Sequence, residues 1–280
     1  MRYPPGVAKQ KEKPAPESLG LPCVGVETHA HLDYKRLDPE ALPGLLERAR
    51  SAGVARLGNV FLGVEAYCAN APILSAYPEV FFLLGVHPND AGEADIRHVA
   101  DMGDLFAGEP RLRAVGEIGL DFYWKDTPPD VQERFFREQL AMARELGRPV
   151  AVHSRDASAE TLRVLDDSGI AGEQVLWHCF GGGPDLAVEL IQRGYTVSIP
   201  GPVTYSKNED LRRAVSILEL DRLVIESDAP FLTPEPYRGR PNEPAYNVFT
   251  AQTVARIKGL ETADLWRRTG DNARRFFGLD

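Results

Sequence analysis

The sequence predicts an α/β fold closed as a (β/α)8 TIM barrel, and three observations lead there. Short β-branched or aliphatic runs alternate eight times with amphipathic stretches, the pattern of repeated βα units around a parallel sheet. The 280 residues suit one eight-stranded barrel, among the few architectures that reach this size as a single domain. Five of the six histidines stand in short motifs that end those runs: His29 and His31 in VETHAHLD, His87 in GVHP, His153 in VAVHSRDA and His178 in WHCFGG. Glu117 in VGEIGLD and Asp228 in VIESDAPFL are placed alike. A parallel barrel gathers such positions at one rim, and a ring of imidazoles and carboxylates is how proteins hold catalytic divalent metals. The expectation is a metal-dependent hydrolase.

In chain order the expected strands are 24–29, 54–61, 80–86, 112–119, 149–153, 174–178, 195–199 and 222–227. Helices are expected over 39–52, 64–77, 94–106, 130–146, 158–167, 184–193 and 208–218. The clearest is 130–146, where Val131, Phe135, Leu140, Ala143 and Leu146 recur near helical spacing before Gly147 closes the run. A proline-rich loop over 231–244 follows the last strand, then helices over 246–258 and 263–277. The absence of a composition break favours one closed barrel over two domains, although a doubly wound open sheet gives a similar alternation.

Residues 1–22, with Pro4, Pro5, Pro14, Pro16 and Pro22 among charges, lack the apolar stretch of a secretion signal and are expected to be a disordered extension preceding a single domain at 23–280. No apolar run approaches the ~18 residues of a membrane helix. Cys23, Cys68 and Cys179 are an odd number without CxxC spacing, which argues against a disulfide framework or thiolate zinc site and for a cytoplasmic location. The net charge is −9, and segment 1–22 is basic, so the barrel itself is more acidic still. That argues against a broad basic surface gripping duplex phosphates; no obligate protein partner is expected.

His29 and His31 stand two apart at the end of the first strand, so the strand period turns both rings to one side. A structural histidine pair is the bland alternative, about equal in weight for HxH alone. Glu117 lies between Gly116 and Gly119, which allow close approach by other groups. An inward carboxylate is costly unless paired or metal-bound; pairing with Arg155 is one solution, bridging two cations the better one. His153 and His178 end neighbouring strands. Asp228 ends the eighth strand, next to the first across the closure, where its other natural role is to cap the following turn.

The ordered set THAHLD, GVHP, VGEIGLDFYW, PVAVHSRDA, HCFGG and ESDAPFLTPEPYRGRPNEP resembles the TatD family of metal-dependent nucleases in the amidohydrolase-like superfamily, over residues 24–278. The resemblance implies a two-metal site of His29, His31, Glu117, His153, His178 and Asp228, with Glu117 bridging. Glu27 stands where the family more often has aspartate and Ala30 where cysteine is common; neither is a ligand position in the family pattern.

Two divalent ions so held would lower the pKa of a shared water and present hydroxide to a phosphodiester. Asp228 is the expected general base, with Glu117 the second catalytic residue. His87, Arg155 and Arg238 are candidates to bind the phosphate; support of Glu117 and a solvated loop charge are the plainer roles for the two arginines. His98, in a polar helix, reads as surface. Tyr237 to Asn242 and Phe122, Tyr123 and Trp124 offer surfaces on which a terminal base could stack, or pack the barrel top. The expected activity is 3′–5′ exonuclease action on single-stranded DNA or other nucleic-acid ends. Four imidazoles suit zinc, iron or manganese while carboxylates and a phosphate substrate admit magnesium. Rivals are an amidohydrolase of a small amide, lactone or phosphoester, revealed by faster turnover of such substrates, and a metal-binding protein without turnover.

Overall fold

A computed structural model describes residues 13–35 and 37–280. Eight parallel strands hydrogen-bond in sequence order, each neighbouring pair in parallel register: β1 (Gly25–Ala30), β2 (Val54–Leu62), β3 (Val80–Gly85), β4 (Leu112–Asp121), β5 (Val150–Arg155), β6 (Val175–Trp177), β7 (Thr196–Ile199) and β8 (Leu223–Ile225). The ring closes through a parallel bridge between Ala30 and Ala229, with Asp228 N donating to His29 O at 3.0 Å. The fold is therefore a (β/α)8 TIM barrel, and the doubly wound alternative is excluded by this closure.

Helices α1 (Leu42–Ser51), α2 (Val64–Leu74), α3 (His98–Gly108), α4 (Pro129–Glu145), α5 (Ser158–Ser168), α6 (Pro184–Gln192) and α7 (Glu209–Ile217) alternate with the strands, and α8 (Asn247–Lys258) and α9 (Thr262–Phe277) follow β8. These lie within a few residues of the expected ranges; the largest difference is α3, which starts at His98 because 94–97 form turns.

Apolar side chains pack on both sides of the strands. Outside, the helices cover a large core that includes Trp177, Phe61, Phe82, Phe136 and Trp266. Inside, a smaller cluster takes Val26, Val60, Phe81, Leu83, Ala114, Ala151, Leu176 and Val224 from seven strands. Phe277 of α9 meets Phe81 with ring centroids 4.9 Å apart and closes the N-terminal end of the barrel. The polar interior is thereby confined to the C-terminal end of the strands.

Of the segment 1–22 read as a disordered extension, residues 1–12 lie outside the described residues. From Lys13 the chain runs against the barrel: Pro16–Leu19 forms a 3-10 turn, Leu19 and Leu21 pack on the core, and Trp266 Nε1 donates to Pro22 O at 3.1 Å. All three cysteines are unpaired. Among the described residues no helix is long and apolar enough to cross a membrane.

Candidate metal centre

Which side chains reach the barrel mouth follows from the strand alternation and two interruptions of it. Ala151, Leu176 and Val224 face the interior; counting by twos carries His153, His178, Glu226 and Asp228 inward, and from Leu83 the same count reaches His87. The other two strands break step. From Val26, strict alternation would turn His29 outward, but the β1–β2 register shifts between Glu27 and Ala30. From Ala114 it would turn Glu117 outward, but the β4–β5 register shifts between Val115 and Ile118. Register shifts of this kind re-aim side chains next to active sites.

The glycines noted around Glu117 make room for β5 and β3. A Cβ on Gly119, whose φ is +145°, would sit 2.0 Å from His153 O; one on Gly116 would sit 2.7 Å from Ala151 Cβ; one on Gly85 would sit 2.8 Å from the Gly116 carbonyl carbon. Close strand contact at these points carries Glu117 to the barrel axis.

There the Glu117 carboxylate, 4% exposed, is met by five imidazoles. Its Oε2 lies 3.3 Å from His29 Nε2 and 3.5 Å from His31 Nε2. Its Oε1 lies 2.7 Å from His153 Nδ1, 3.3 Å from His178 Nε2 and 3.5 Å from His87 Nε2. Asp228 Oδ1 is 3.5 Å from His31 Nε2. The two carboxylate oxygens thus face different histidine sets, the arrangement a carboxylate shared by two cations requires. All six expected ligands come together at the mouth. The donors of His29, His31 and Glu117 lie within 4.8 Å of one another, as do those of His87, Glu117 and His153.

Sequence reasoning missed the groups that set the ring tautomers. His178 Nδ1 is 2.9 Å from Glu226 Oε2, while the other Glu226 oxygen accepts from Cys179 N at 2.7 Å. His153 Nε2 is 3.0 Å from Asp121 Oδ2. Each imidazole donates its outer N–H to a buried carboxylate and turns its remaining nitrogen to the centre, as metal-binding histidines do. The signal for Glu226 was present, since it lies midway between the inward Val224 and Asp228. Glu27 is fully buried and accepts from His29 N at 3.0 Å, Ser227 N at 2.9 Å and Asn247 Nδ2 at 3.1 Å; burial outweighs those bonds and pushes its carboxyl up to about 8.

His87 behaves differently. Its Nδ1 accepts from Asn89 N at 3.2 Å, which leaves a proton on Nε2, the nitrogen 3.5 Å from Glu117. It is a donor there, suited to an anionic oxygen. Arg155 and Arg238 are both exposed and do not touch Glu117: Arg155 lies 3.8 Å over the Tyr123 ring and Arg238 lies 4.1 Å over the Tyr205 ring. Salt-bridging of Glu117 by Arg155 does not occur; the groups that meet that carboxylate are the five imidazoles. His98 is partly exposed, 3.6 Å from Glu65. Tyr237 is stacked on Tyr246 with centroids 4.2 Å apart, so the post-β8 loop offers Phe231, 40% exposed, as its free ring instead.

The charge states fit a cation site. Burial and the stacked His178 ring, 3.5 Å away, lower His29 to about 3 and keep it neutral. Burial opposes protonation of His31 too, but Asp228 and Glu117 outweigh it and raise it to about 10. Glu117 is held well below the carboxylate range because His178, His87 and His153 overcome its burial. Protons here stand in for positive charge that metals would supply. His29 Nδ1 is buried with no hydrogen-bond partner, tolerable for a ring fixed by ligation at its other nitrogen.

The TatD related DNase family matches residues 26–278. The metal-dependent hydrolase YabD of Bacillus subtilis is 33% identical over 91% of this chain and 99% of its own length. The 3′-5′ ssDNA/RNA exonuclease TatD of Cronobacter sakazakii is 36% identical over 83% of this chain and 90% of its own. The structure of the Escherichia coli TatD homologue YJJV superposes with a TM-score of 0.86 at 24% identity, covering 92% of this chain and 99% of that one. A barrel whose polar end gathers five imidazoles on one buried carboxylate, in a chain with these relatives, is a metal-dependent hydrolase of the TatD family.

Proposed function

We propose that this protein is a phosphodiesterase that removes nucleotides from the 3′ end of single-stranded DNA or RNA, using two divalent cations held by His29, His31, Glu117, His153, His178 and Asp228. The observation that carries the reading is the division of labour on Glu117, one oxygen toward His29 and His31 and the other toward His153 and His178. The exonuclease name of the Cronobacter relative supports the substrate class, as does the acidity of the chain, which suits a short contact with a strand end.

When bound, such cations lower the pKa of water and neutralise charge on a phosphate. Asp228, 3.5 Å from His31, takes the proton of the attacking water. His87 Nε2–H donates to a phosphate oxygen, and Asn89 holds it in that tautomer. Arg155 and Arg238, each against an aromatic ring, offer guanidinium groups to the phosphates beyond. Glu226 and Asp121 fix the rings of His178 and His153.

The test uses single-stranded oligonucleotides labelled at either end, with magnesium, manganese or zinc. Chelator-sensitive release of mononucleotides from the 3′ end is the expected result. Release from the 5′ end, internal cutting, or faster turnover of small amides and lactones would replace this reading.

A further inference from the structure

Four aromatic side chains are exposed among the described residues: Tyr34, Tyr123, Trp124 and Phe231, at 40 to 51%. All four follow the C-terminal ends of strands and so stand around the candidate metal centre, whereas the exposed aliphatic residues Leu146, Val188 and Ile217 lie on or beside outer helices. Aromatic rings left in water gain nothing for the fold, and their confinement to one end of the barrel calls for an occupant.

They form two pairs. Tyr34, after β1, and Phe231, after β8, meet edge to face with centroids 4.7 Å apart, and Phe231 is 6.2 Å from the His31 ring. Tyr123 and Trp124, after β4, meet at 5.0 Å. Strands β8 and β4 are opposite staves of the eight, so the pairs flank the centre. Each pair is tied to a carboxylate residue of the centre. Phe231 N donates to Asp228 O at 2.8 Å. Asp121 Oδ1 accepts from Tyr123 N and Trp124 N, at 2.9 and 3.1 Å, while its other oxygen meets His153. Each pair also carries a cation on a ring, Arg155 at 3.8 Å from Tyr123 and Lys35 at 5.4 Å from Tyr34.

We infer that Tyr34–Phe231 and Tyr123–Trp124 are two base-stacking subsites, one on each side of the scissile phosphate, so that the substrate is a single strand crossing the mouth with adjacent bases splayed apart. This deepens the phosphodiesterase reading and rests on it. Stacking is indifferent to the negative charge of the chain, and it is sequence-tolerant because every base has a π-face. A duplex cannot supply such bases without unpairing them. Two nucleosides joined by one phosphodiester are the minimal full substrate.

The experiment combines Phe231→Ala, Tyr34→Ala and Trp124→Ala with oligonucleotides abasic on one or the other side of the terminal phosphodiester. Hydrolysis is read as kcat/KM, and binding of the same strands is measured calorimetrically with calcium in place of the activating metal. Wild-type protein is expected to lose about 5- to 150-fold in affinity or kcat/KM for each missing base. Phe231→Ala and Tyr34→Ala should suffer such a loss on the intact strand and none further when the base on their side is missing, while keeping the full loss for the other side. Trp124→Ala should show the mirror pattern. Losses that multiply in every combination, or variants that match wild type on intact strands, overturn the subsites. Abasic-sensitive binding without cleavage of any strand removes the hydrolytic reading and leaves the subsites standing; neither binding nor cleavage removes both.

Discussion

Replacing Glu226 by glutamine tests how the fold prepares the metal centre without touching the centre itself. The side chain is fully buried, with one oxygen 2.7 Å from Cys179 N and the other 2.9 Å from His178 Nδ1. The backbone N–H of Cys179 can only donate, so the amide of Glu226→Gln must keep its oxygen there and turn its NH2 toward His178. That forces His178 Nδ1 to accept and places the ring proton on Nε2, the atom 3.3 Å from Glu117. Both hydrogen bonds survive, so the fold should survive, but the nitrogen facing the centre is now a donor with no lone pair for a cation. Replacing groups that orient metal-binding histidines costs about 10- to 100-fold in affinity, which is about 1.4–2.7 kcal/mol. Calorimetric titration of manganese or zinc into the metal-free variant should show that weakening, with an apo melting temperature near that of wild type. Wild-type affinity in the folded variant would refute the argument that Glu226 sets the tautomer.

Three further outcomes follow from the same geometry. Metal binding should release protons, because His31 is raised to about 10 by Asp228 and Glu117 and must lose its proton to ligate; affinity should therefore rise with pH up to that range, and the binding enthalpy should vary with the ionisation enthalpy of the buffer. His87→Ala should lower kcat about 100-fold or more, as loss of a charge-stabilising donor does. His87→Gln, which keeps an N–H, should recover part of that loss at unchanged metal affinity by calorimetry. Gly119→Ala should destabilise by about 2–6 kcal/mol in urea unfolding, from overpacking against His153 O together with a φ of +145°.

Much of this protein is written locally. Eight apolar runs and the helices between them can be read from periodicity, since each element's buried face depends on its own spacing. His153, His178 and Asp228 could be placed at one rim because parallel strands end together, and the ordered motifs pointed to the family. The post-β8 loop was less legible: its prolines marked a loop, but only the packing of Tyr237 on Tyr246 decided that Phe231 would be the ring left at the mouth. The two arginines likewise were visible as charges, and their seats on Tyr123 and Tyr205 were not.

By itself the sequence determined that imidazoles and carboxylates would stand at strand ends, because composition and period are properties of single segments. The tertiary structure decided which way they turn. Glu117 and the HxH pair reach the axis through register shifts between neighbouring strands, and the proton positions on His178, His153 and His87 are set by Glu226, Asp121 and Asn89 from other positions in the chain. Register is a relation between two strands and a tautomer a relation between two side chains, so neither exists until the barrel closes.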